Sequence, residues 1–158
     1  MSEALSPAAE RVQELLRAAG SEARVRQLPV TARAAAEAAA AIGCTVAQIA
    51  KSLVFKSRSG KPVLVIASGA NRVDEAKIAG ALGEPISKAD ASFVRDTTGY
   101  AIGGVAPIGH ATPPRIFIDR DLGQHAILWA AAGHPHAVFP VSPAELERLT
   151  HGTVIEAK

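Results

Sequence analysis

The segment from Lys51 to Ser68 constrains the fold more than any other part of the chain. Two runs rich in β-forming residues, KSLVFKS and PVLVIAS, lie on either side of the short turn RSGK. Apolar residues with a period of two, interrupted by a short turn that contains glycine, are typical of an antiparallel hairpin. We therefore expect a β-sheet that contains residues 51–68.

Helices and further short strands are mixed irregularly around this hairpin. The first helix is capped by Ser6, has Pro7 at its first position and ends near Gly20. The order of elements is not the strict alternation of a doubly wound sheet, so we predict one mixed α/β (α+β) domain over residues 1–158. The other predicted elements are an alanine-rich helix from Thr31 to Gly43, a helical turn after Thr45, helices at about 74–82, 90–95 and 143–149, and strands at 23–28 (an edge strand, because Pro29 follows), 115–119, 127–132, 136–140 and 153–157.

Composition excludes several classes of protein. Hydrophobic residues make up 48% and charged residues 20% of the 158 residues, which is typical of a folded soluble chain. No apolar run reaches the roughly 18 residues of a membrane span, and the N-terminus lacks the basic and apolar regions of a secretory signal. We therefore expect a cytoplasmic protein without membrane contact. The single cysteine, Cys44, excludes an internal disulfide; a small buried residue is favoured over a nucleophile there.

The segment TTGYAIGGVAPIGH (97–110) contains four glycines and one proline and ends in His110. It matches neither a phosphate-binding P-loop nor a dinucleotide fingerprint. Gly103 and Gly104 inside a β-like stretch indicate either a plain bend or a close approach of a ligand to the backbone. In the second case, exposed amides would hold a carbonyl or ribose oxygen as an oxyanion hole does.

Lys51 shares one face of its strand with the apolar residues Leu53 and Phe55. Its ammonium group therefore either reaches along that face into water or stands on a pocket wall, where it would position an anionic or carbonyl-bearing ligand. Arg72, just before the helix that Asp74 is expected to cap, is free to face a ligand.

The remaining polar residues give weaker signals. The hairpin tip carries Lys56, Arg58 and Lys61, which indicate a solvated turn or a patch that contacts phosphates. For Asp119 and Asp121 a turn that ends a strand is favoured over a pocket rim. His134 and His136 indicate an exposed turn and no metal site, and spacing singles out no Ser–His–Asp triad.

Two segments in this order and at this separation, IGCTVAQIAKSLVF (42–55) and TTGYAIGGVAPIGH (97–110), resemble the YbaK family of aminoacyl-tRNA deacylases. These proteins are free-standing relatives of the editing insertion domain of bacterial prolyl-tRNA synthetase. The resemblance implies a compact fold with a central, mostly antiparallel, partly barrel-like sheet flanked by helices. It also implies hydrolysis of the ester between a small misacylated amino acid (cysteine, alanine or serine) and the 3′-terminal adenosine of tRNA, typically tRNA for proline.

The resemblance also implies roles for individual residues. Lys51 matches the pocket lysine that positions the tRNA end, and Gly103 and Gly104 match the pair whose backbone lies against the substrate. No cofactor, metal or protein nucleophile is implied, because a ribose hydroxyl, a substrate group or a water is thought to attack. The partners implied are the aminoacylated 3′ end of tRNA and prolyl-tRNA synthetase, with a monomer or a homodimer both open. The further residues expected at the substrate are Gly99, Ala101, Ile102, Val105, His110 and Arg72, with Lys56, Arg58 and Lys61 at the tRNA backbone.

Two other functions are compatible with the sequence. One is a binding module that holds a nucleotide or an aminoacyl group in the same pocket without cleaving it. The other is a binder of nucleic acids of any sequence, but a net charge of only +2 and an aromatic content of 4% argue against it.

Overall fold

Eight strands form one mixed sheet in this protein. The structure, a computed structural model, describes residues 5–29 and 34–158. The strands are β1 Arg26–Gln27, β2 Ile49–Ser57, β3 Pro62–Ser68, β4 Ile86–Lys88, β5 Arg115–Asp119, β6 Leu128–Ala131, β7 Ala137–Val141 and β8 Thr153–Ile155.

The strand order is β1-β7-β6-β2-β3-β5-β8, and β4 pairs with β2 as well. Four pairings are antiparallel: β1 with β7, β2 with β3, β2 with β4, and β6 with β7. Three are parallel: β2 with β6, β3 with β5, and β5 with β8. The mixed α/β fold with a mostly antiparallel sheet is therefore confirmed, and β1 lies at the edge, as the proline after it predicts.

The predicted hairpin is the centre of this sheet. Every residue of β3 is buried, which requires apolar cover on both faces. Alternate residues point to opposite faces: Leu64 and Ile66 pack into the larger apolar cluster, and Val63 and Val65 into a second cluster. The sheet therefore separates two cores.

Five α-helices flank the sheet among the described residues. Four of these helices have a capping side chain at the N-terminus: Ser6, Asp74, Asp90 and Ser142 each accept from a backbone amide of the first turn, whereas α2 follows Ala34 and has no such cap. The predicted start of the alanine-rich helix at Thr31 lies outside the described residues, and its end at Gly43 is confirmed by a left-handed cap. The helices are α1 Pro7–Ala18, α2 Ala35–Ile42, α3 Glu75–Leu82, α4 Ala91–Thr98 and α5 Pro143–Thr150.

The structure corrects several predicted elements; the strand expected at 23–28, for example, contains only Arg26–Gln27. The helix expected at 90–95 continues to Thr98, because Gly99 provides its left-handed cap. The turn after Thr45 is one short 3-10 turn, since Ile49 and Ala50 pair with β6 and so belong to β2. Strand β4 was not predicted, because its three residues are too few to reveal a period of two.

Candidate active site

A cleft of about 780 Å³ opens beside β2. Its walls come from β2, from the loop before α3, from the glycine segment, and from β6 and α2. Among the residues predicted for the site, five line it: Lys51, Arg72, Ile102, Gly103 and Val105. Sequence positions some fifty residues apart are thus brought into one cavity. The predicted residues outside this lining are Gly99, Ala101, Gly104, His110, Lys56, Arg58 and Lys61.

Lys51 is half-buried on the cleft wall, and its Nζ donates a hydrogen bond to the carbonyl oxygen of Asn71 at 2.9 Å. Of the two arrangements open from the sequence, the structure has the one on the pocket wall. No carboxylate of residues 5–29 or 34–158 forms an ion pair with this ammonium group. The Lys51 ammonium group is therefore not paired with a carboxylate of the described residues, and two further N–H donors remain for a ligand.

Asn71 is itself held by two carboxylates. Its Nδ2 donates to Asp119 Oδ2 at 2.9 Å and to Asp121 Oδ2 at 2.8 Å. Asp119 is only 2% exposed and also accepts from the backbone amide of Ser68 at 3.1 Å. Buried carboxylates with several donors hold a loop firmly. Asp119 therefore fixes the loop whose carbonyl orients Lys51.

The sequence favoured a simple turn at Asp119, and this interpretation is incomplete. Its Oδ1 does cap the turn by accepting from the amide of Asp121 at 3.0 Å, but its Oδ2 faces the loop of Asn71. An aspartate directly after the apolar run IFI (116–118) was the signal that could have identified it. Lys88 and Trp129, which also line the cleft, had no such signal.

The two glycines of the pair, Gly103 and Gly104, have different roles. Gly103 is exposed at the cleft with φ +88°, and its amide has no acceptor within the described part of the chain. Gly104 is buried, and its amide donates to the carbonyl of Ala101 at 3.0 Å. Its missing side chain leaves room for the backbone of His134, which would lie 2.9 Å from a Cβ. Of the two glycines, Gly103 is thus the one that lines the cleft with an amide that has no acceptor among the described residues.

The two outer glycines of the segment serve the protein's own packing. Gly99 ends α4, as described above. A Cβ at Gly109 would lie 2.4 Å from Leu15 Cδ1 and 2.8 Å from the hydroxyl of Tyr100, so α1 and Tyr100 occupy that space. Much of the close approach that the sequence indicated therefore comes from the chain itself.

His110 is half-buried behind the glycine segment and does not line the cleft. Its Nε2 lies 2.6 Å from the carbonyl of Ala106, and since a carbonyl only accepts, Nε2 carries the hydrogen. Its Nδ1 is buried and has no partner among the described residues. Burial is the main cause that lowers the pKa of this imidazole, and the charge of Arg11 lowers it further. The lowered pKa favours the neutral form of His110, whose ring packs edge-on against that of Tyr100.

The cations of the hairpin tip have an acidic neighbour that the local sequence does not contain. Glu84 Oε1 accepts from both the amide and the hydroxyl of Ser59, at 2.8 and 2.9 Å. These hydrogen bonds, together with the charge of Lys61, lower the pKa of the Glu84 carboxyl. The ammonium of Lys56 lies 5.3 Å from the centroid of the Phe93 ring.

Other possible chemistry is weak in the described ranges. Burial raises the pKa of the half-buried Cys44 thiol, which disfavours a nucleophilic thiolate. Residues 5–29 and 34–158 contain no group of three metal-ligating side chains, and none of their helices has the length and apolar character of a membrane span.

Comparison with known proteins decides the family. The family model of the aminoacyl-tRNA editing domain matches residues 30–149. The chain belongs to this family. The predicted relationship and the predicted enzyme class, a hydrolase of aminoacyl-tRNA esters, are confirmed at the level of the family.

Individual known proteins are similar to this chain over most of its length. The "uncharacterized protein YwhH" of Bacillus subtilis (strain 168) is 30% identical over 75% of this chain and 75% of its own length. The "putative Cys-tRNA(Pro)/Cys-tRNA(Cys) deacylase EbsC" of Enterococcus faecalis (strain ATCC 700802 / V583) is 27% identical over 75% of this chain and 73% of its own. A crystal structure of "a putative trans-editing enzyme for prolyl tRNA synthetase" superposes with a TM-score of 0.94, at 44% identity over 98% of this chain and 99% of that one.

Proposed function

We propose that this protein is a trans-editing deacylase that hydrolyses the ester of a small misacylated amino acid on tRNA, with tRNA for proline as the first candidate. The observation that carries this proposal is that Lys51 and Gly103 line one cleft, and that the Gly103 amide has no acceptor among the described residues. Both groups donate hydrogen bonds, and neither has a carboxylate partner in the described ranges. The similar proteins whose names refer to tRNA for proline and its synthetase support the choice of tRNA.

The chemistry follows from these two donors. In ester hydrolysis the oxygen of a water attacks the carbonyl carbon, and negative charge develops on the carbonyl oxygen. Donors that are already oriented toward that oxygen stabilise the transition state. The bond between the carbonyl carbon and the ribose oxygen then breaks, the ribose oxygen takes the proton, and the free amino acid leaves. In this proposal Gly103 N–H stabilises the oxyanion, and Lys51 holds the ester or the adjacent phosphate.

The cleft also suits discrimination by size. A synthetase gains only about 1–3 kcal/mol per methylene, so smaller amino acids are charged by mistake. A second site with apolar walls removes those that fit into it. Ile102 and Val105 contribute such walls here, with Ile102 61% exposed at the rim. Arg72 is an exposed cation of the same cleft and is assigned to the phosphate of the tRNA end.

The proposal extends to the partner and to the surroundings of the reaction. Aminoacyl-tRNA charged by prolyl-tRNA synthetase would be the substrate, which places the protein in the cytoplasm and makes the synthetase a candidate partner. The exposed Lys56, Arg58 and Lys61 stay predicted contacts for the tRNA backbone. The whole chain, including residues before 30, is assigned to one editing domain.

The test is a deacylation panel. Alanyl-, seryl- and cysteinyl-tRNA for proline are incubated with the wild type, Lys51→Ala and Lys77→Ala, with correctly charged prolyl-tRNA as the substrate control. Lys77 is an exposed lysine of α3 outside the cleft lining and serves as the matched control. We expect release of at least one small amino acid, a loss of about 100-fold or more in kcat/KM for Lys51→Ala, and no loss for Lys77→Ala. Absence of release from every charged tRNA would refute the proposal.

A binding module without turnover is the alternative. It predicts saturable binding of aminoacyl-tRNA that Lys51→Ala weakens, with no release of amino acid. Equilibrium binding measured beside the deacylation panel separates the two functions.

A further inference from the structure

Strand β2 is flanked by β3 along one edge but only partly covered along the other. On that second edge β6 pairs with Ile49 and Ala50, and β4 pairs with residues 55–57. Residues 51–54 have no partner strand there within the described chain. They are also half-exposed, although buried residues precede them and Phe55 after them is buried. The sheet thus has a gap at residues 51–54, and the cleft opens onto it.

Hydrogen bonds at the two ends of β2 show which backbone groups face the gap. The carbonyl of Ile49 accepts from Gly69, and the amide of Ser57 donates to Lys61, so odd-numbered residues of β2 face β3. The amide of Arg58 donates to Pro85, so even-numbered positions face the other edge. Because successive residues of a strand alternate between its edges, Ser52 and Val54 direct their backbone groups into the gap.

The gap has the shape of a slot. Leu53 and Val73 belong to the apolar cluster on one face of the sheet, and Val54, Val94 and Val105 belong to the cluster on the other face. All five residues line the cleft. The two sets of side chains thus offer apolar contacts to both faces of a flat ring whose polar rim meets the strand edge.

We propose that this slot binds the base of the terminal adenosine through the backbone of β2. The carbonyl of Ser52 accepts from the N6 amino group of adenine, and the amide of Val54 donates to N1. This donor and acceptor pair on the Watson–Crick edge is the feature by which extruded bases are read, with apolar groups against their faces. An unpaired strand edge supplies such groups without any side chain.

The choice of adenine rests on the proposed function, which brings the 3′ end of a tRNA into this cleft. The short distance along the strand supports it: Ser52 and Val54 lie one and three residues after Lys51, the cation assigned to the ester or phosphate of the same nucleotide. Ser52 Oγ, buried and without a partner in the described ranges, adds no second reading of the base, because it has no access to the cleft in its present orientation.

The binding test uses adenosine 5′-monophosphate and inosine 5′-monophosphate as probes. Inosine carries an acceptor in place of the N6 amino group and a hydrogen on N1, so both hydrogen bonds to β2 are reversed. We expect the adenosine compound to shift the amide resonances of Ser52 and Val54 in a proton–nitrogen correlation spectrum, and the inosine compound to bind about tenfold or more weakly. Equal affinities, or an unmoved Val54 amide while other cleft amides shift, would overturn the proposal.

The second test uses misacylated tRNA that ends in adenosine, inosine or 7-deazaadenosine. The inosine end is expected to lower kcat/KM by about tenfold or more, whereas 7-deazaadenosine keeps its Watson–Crick edge and should change it less than twofold. Ser52→Ala is the matched protein variant, because it removes the hydroxyl and keeps the backbone, so it should keep the preference for adenosine. A preference lost in Ser52→Ala would assign the reading to the side chain and refute the backbone site.

The two proposals fail separately. Deacylation that is equally fast on tRNA ending in inosine would support the proposed deacylase function and refute the adenine slot. Selective binding of adenosine 5′-monophosphate at Val54 without any deacylation would support the adenine slot and refute the proposed deacylase function.

Discussion

Lys51 keeps an unneutralised charge because its partner is the carbonyl of Asn71 and not a carboxylate. The carboxylates of Asp119 and Asp121 act on Asn71 instead, through its side-chain amide. Two acids thus fix the direction of the lysine without forming an ion pair with it. A direct ion pair would hold the ammonium in place but occupy the charge that a substrate needs.

At the same scale, His110 predicts how stability depends on pH. Its folded-state pKa is lowered, so below the ordinary value of about 6.5 the unfolded chain binds a proton that the folded chain does not. The free energy of unfolding should be fully retained above that value and fall as the pH drops below it, by up to about 1.4 kcal/mol per pH unit from this group. Urea unfolding between pH 7.5 and about 5 measures the slope.

Two variants check the assignment to His110. His110→Gln should reduce the slope, because it removes the titrating ring. His151→Asn serves as the control, since His151 is exposed, has φ +54° and Asn tolerates that conformation. A slope that depends on His151 and not on His110 would contradict the assignment.

At the scale of elements, the glycine segment is a wall whose position depends on close backbone packing. Gly104 lies against the backbone of His134 in the turn between β6 and β7, and Gly103 beside it faces the cleft. The packing of Gly104 therefore determines the position of the free amide of Gly103, the residue before it. The segment serves the fold and the site together.

Gly104→Ala tests this coupling. Its Cβ would lie 2.9 Å from backbone atoms of His134, which cannot move without moving the turn. We expect a loss of about 1–3 kcal/mol in the free energy of unfolding and a lower kcat for deacylation. Denaturant unfolding and steady-state kinetics measure the two effects.

Gly80→Ala is the matched control on α3. A Cβ there meets nothing within 4 Å, and alanine favours the helix, so stability should rise by about 0.5–1 kcal/mol with activity unchanged. Full stability and activity in Gly104→Ala would show that the wall does not need this contact.

At the scale of the whole molecule, charge is placed by the fold more than by the composition. The net charge is only +2, yet three cations line the cleft: Lys51, Arg72 and Lys88. The hairpin tip, which is basic in the sequence, faces Glu84 in the structure. We expect binding of the tRNA backbone to depend more on the cations of the cleft rim than on those of the hairpin tip.

This expectation is tested with Lys88→Ala and Lys61→Ala, two exposed lysines. Lys88→Ala should raise KM at every salt concentration and reduce the slope of log K against log salt by about one. Lys61→Ala should change both quantities less, because Glu84 already offsets part of its charge. A larger effect of Lys61→Ala than of Lys88→Ala on KM and on the salt slope would assign the main contact with the tRNA backbone to the hairpin tip. Binding of charged tRNA between low and physiological salt measures both.

The sequence by itself determined most of the elements and their type, although not the short strand β4. The period of two in residues 51–68 and the caps at Ser6, Asp74 and Ser142 are local signals, and the structure has the expected hairpin and helices. The pairing of Lys51 with the glycine segment came from a resemblance to known proteins, since no local signal links residues fifty positions apart. The structure brings both to one cleft.

Only the tertiary structure decided which polar groups are paired within the protein and which stay unpaired at the cleft. It pairs the Gly104 amide with Ala101, leaves that of Gly103 open, buries His110 away from the cleft and brings Glu84 to the hairpin tip. It also stops β6 and β4 short of residues 51–54 of β2, which opens the strand edge. Hydrogen bonds between distant segments depend on how strands pair across the sheet, and a pattern of residue types along the chain does not encode that pairing directly.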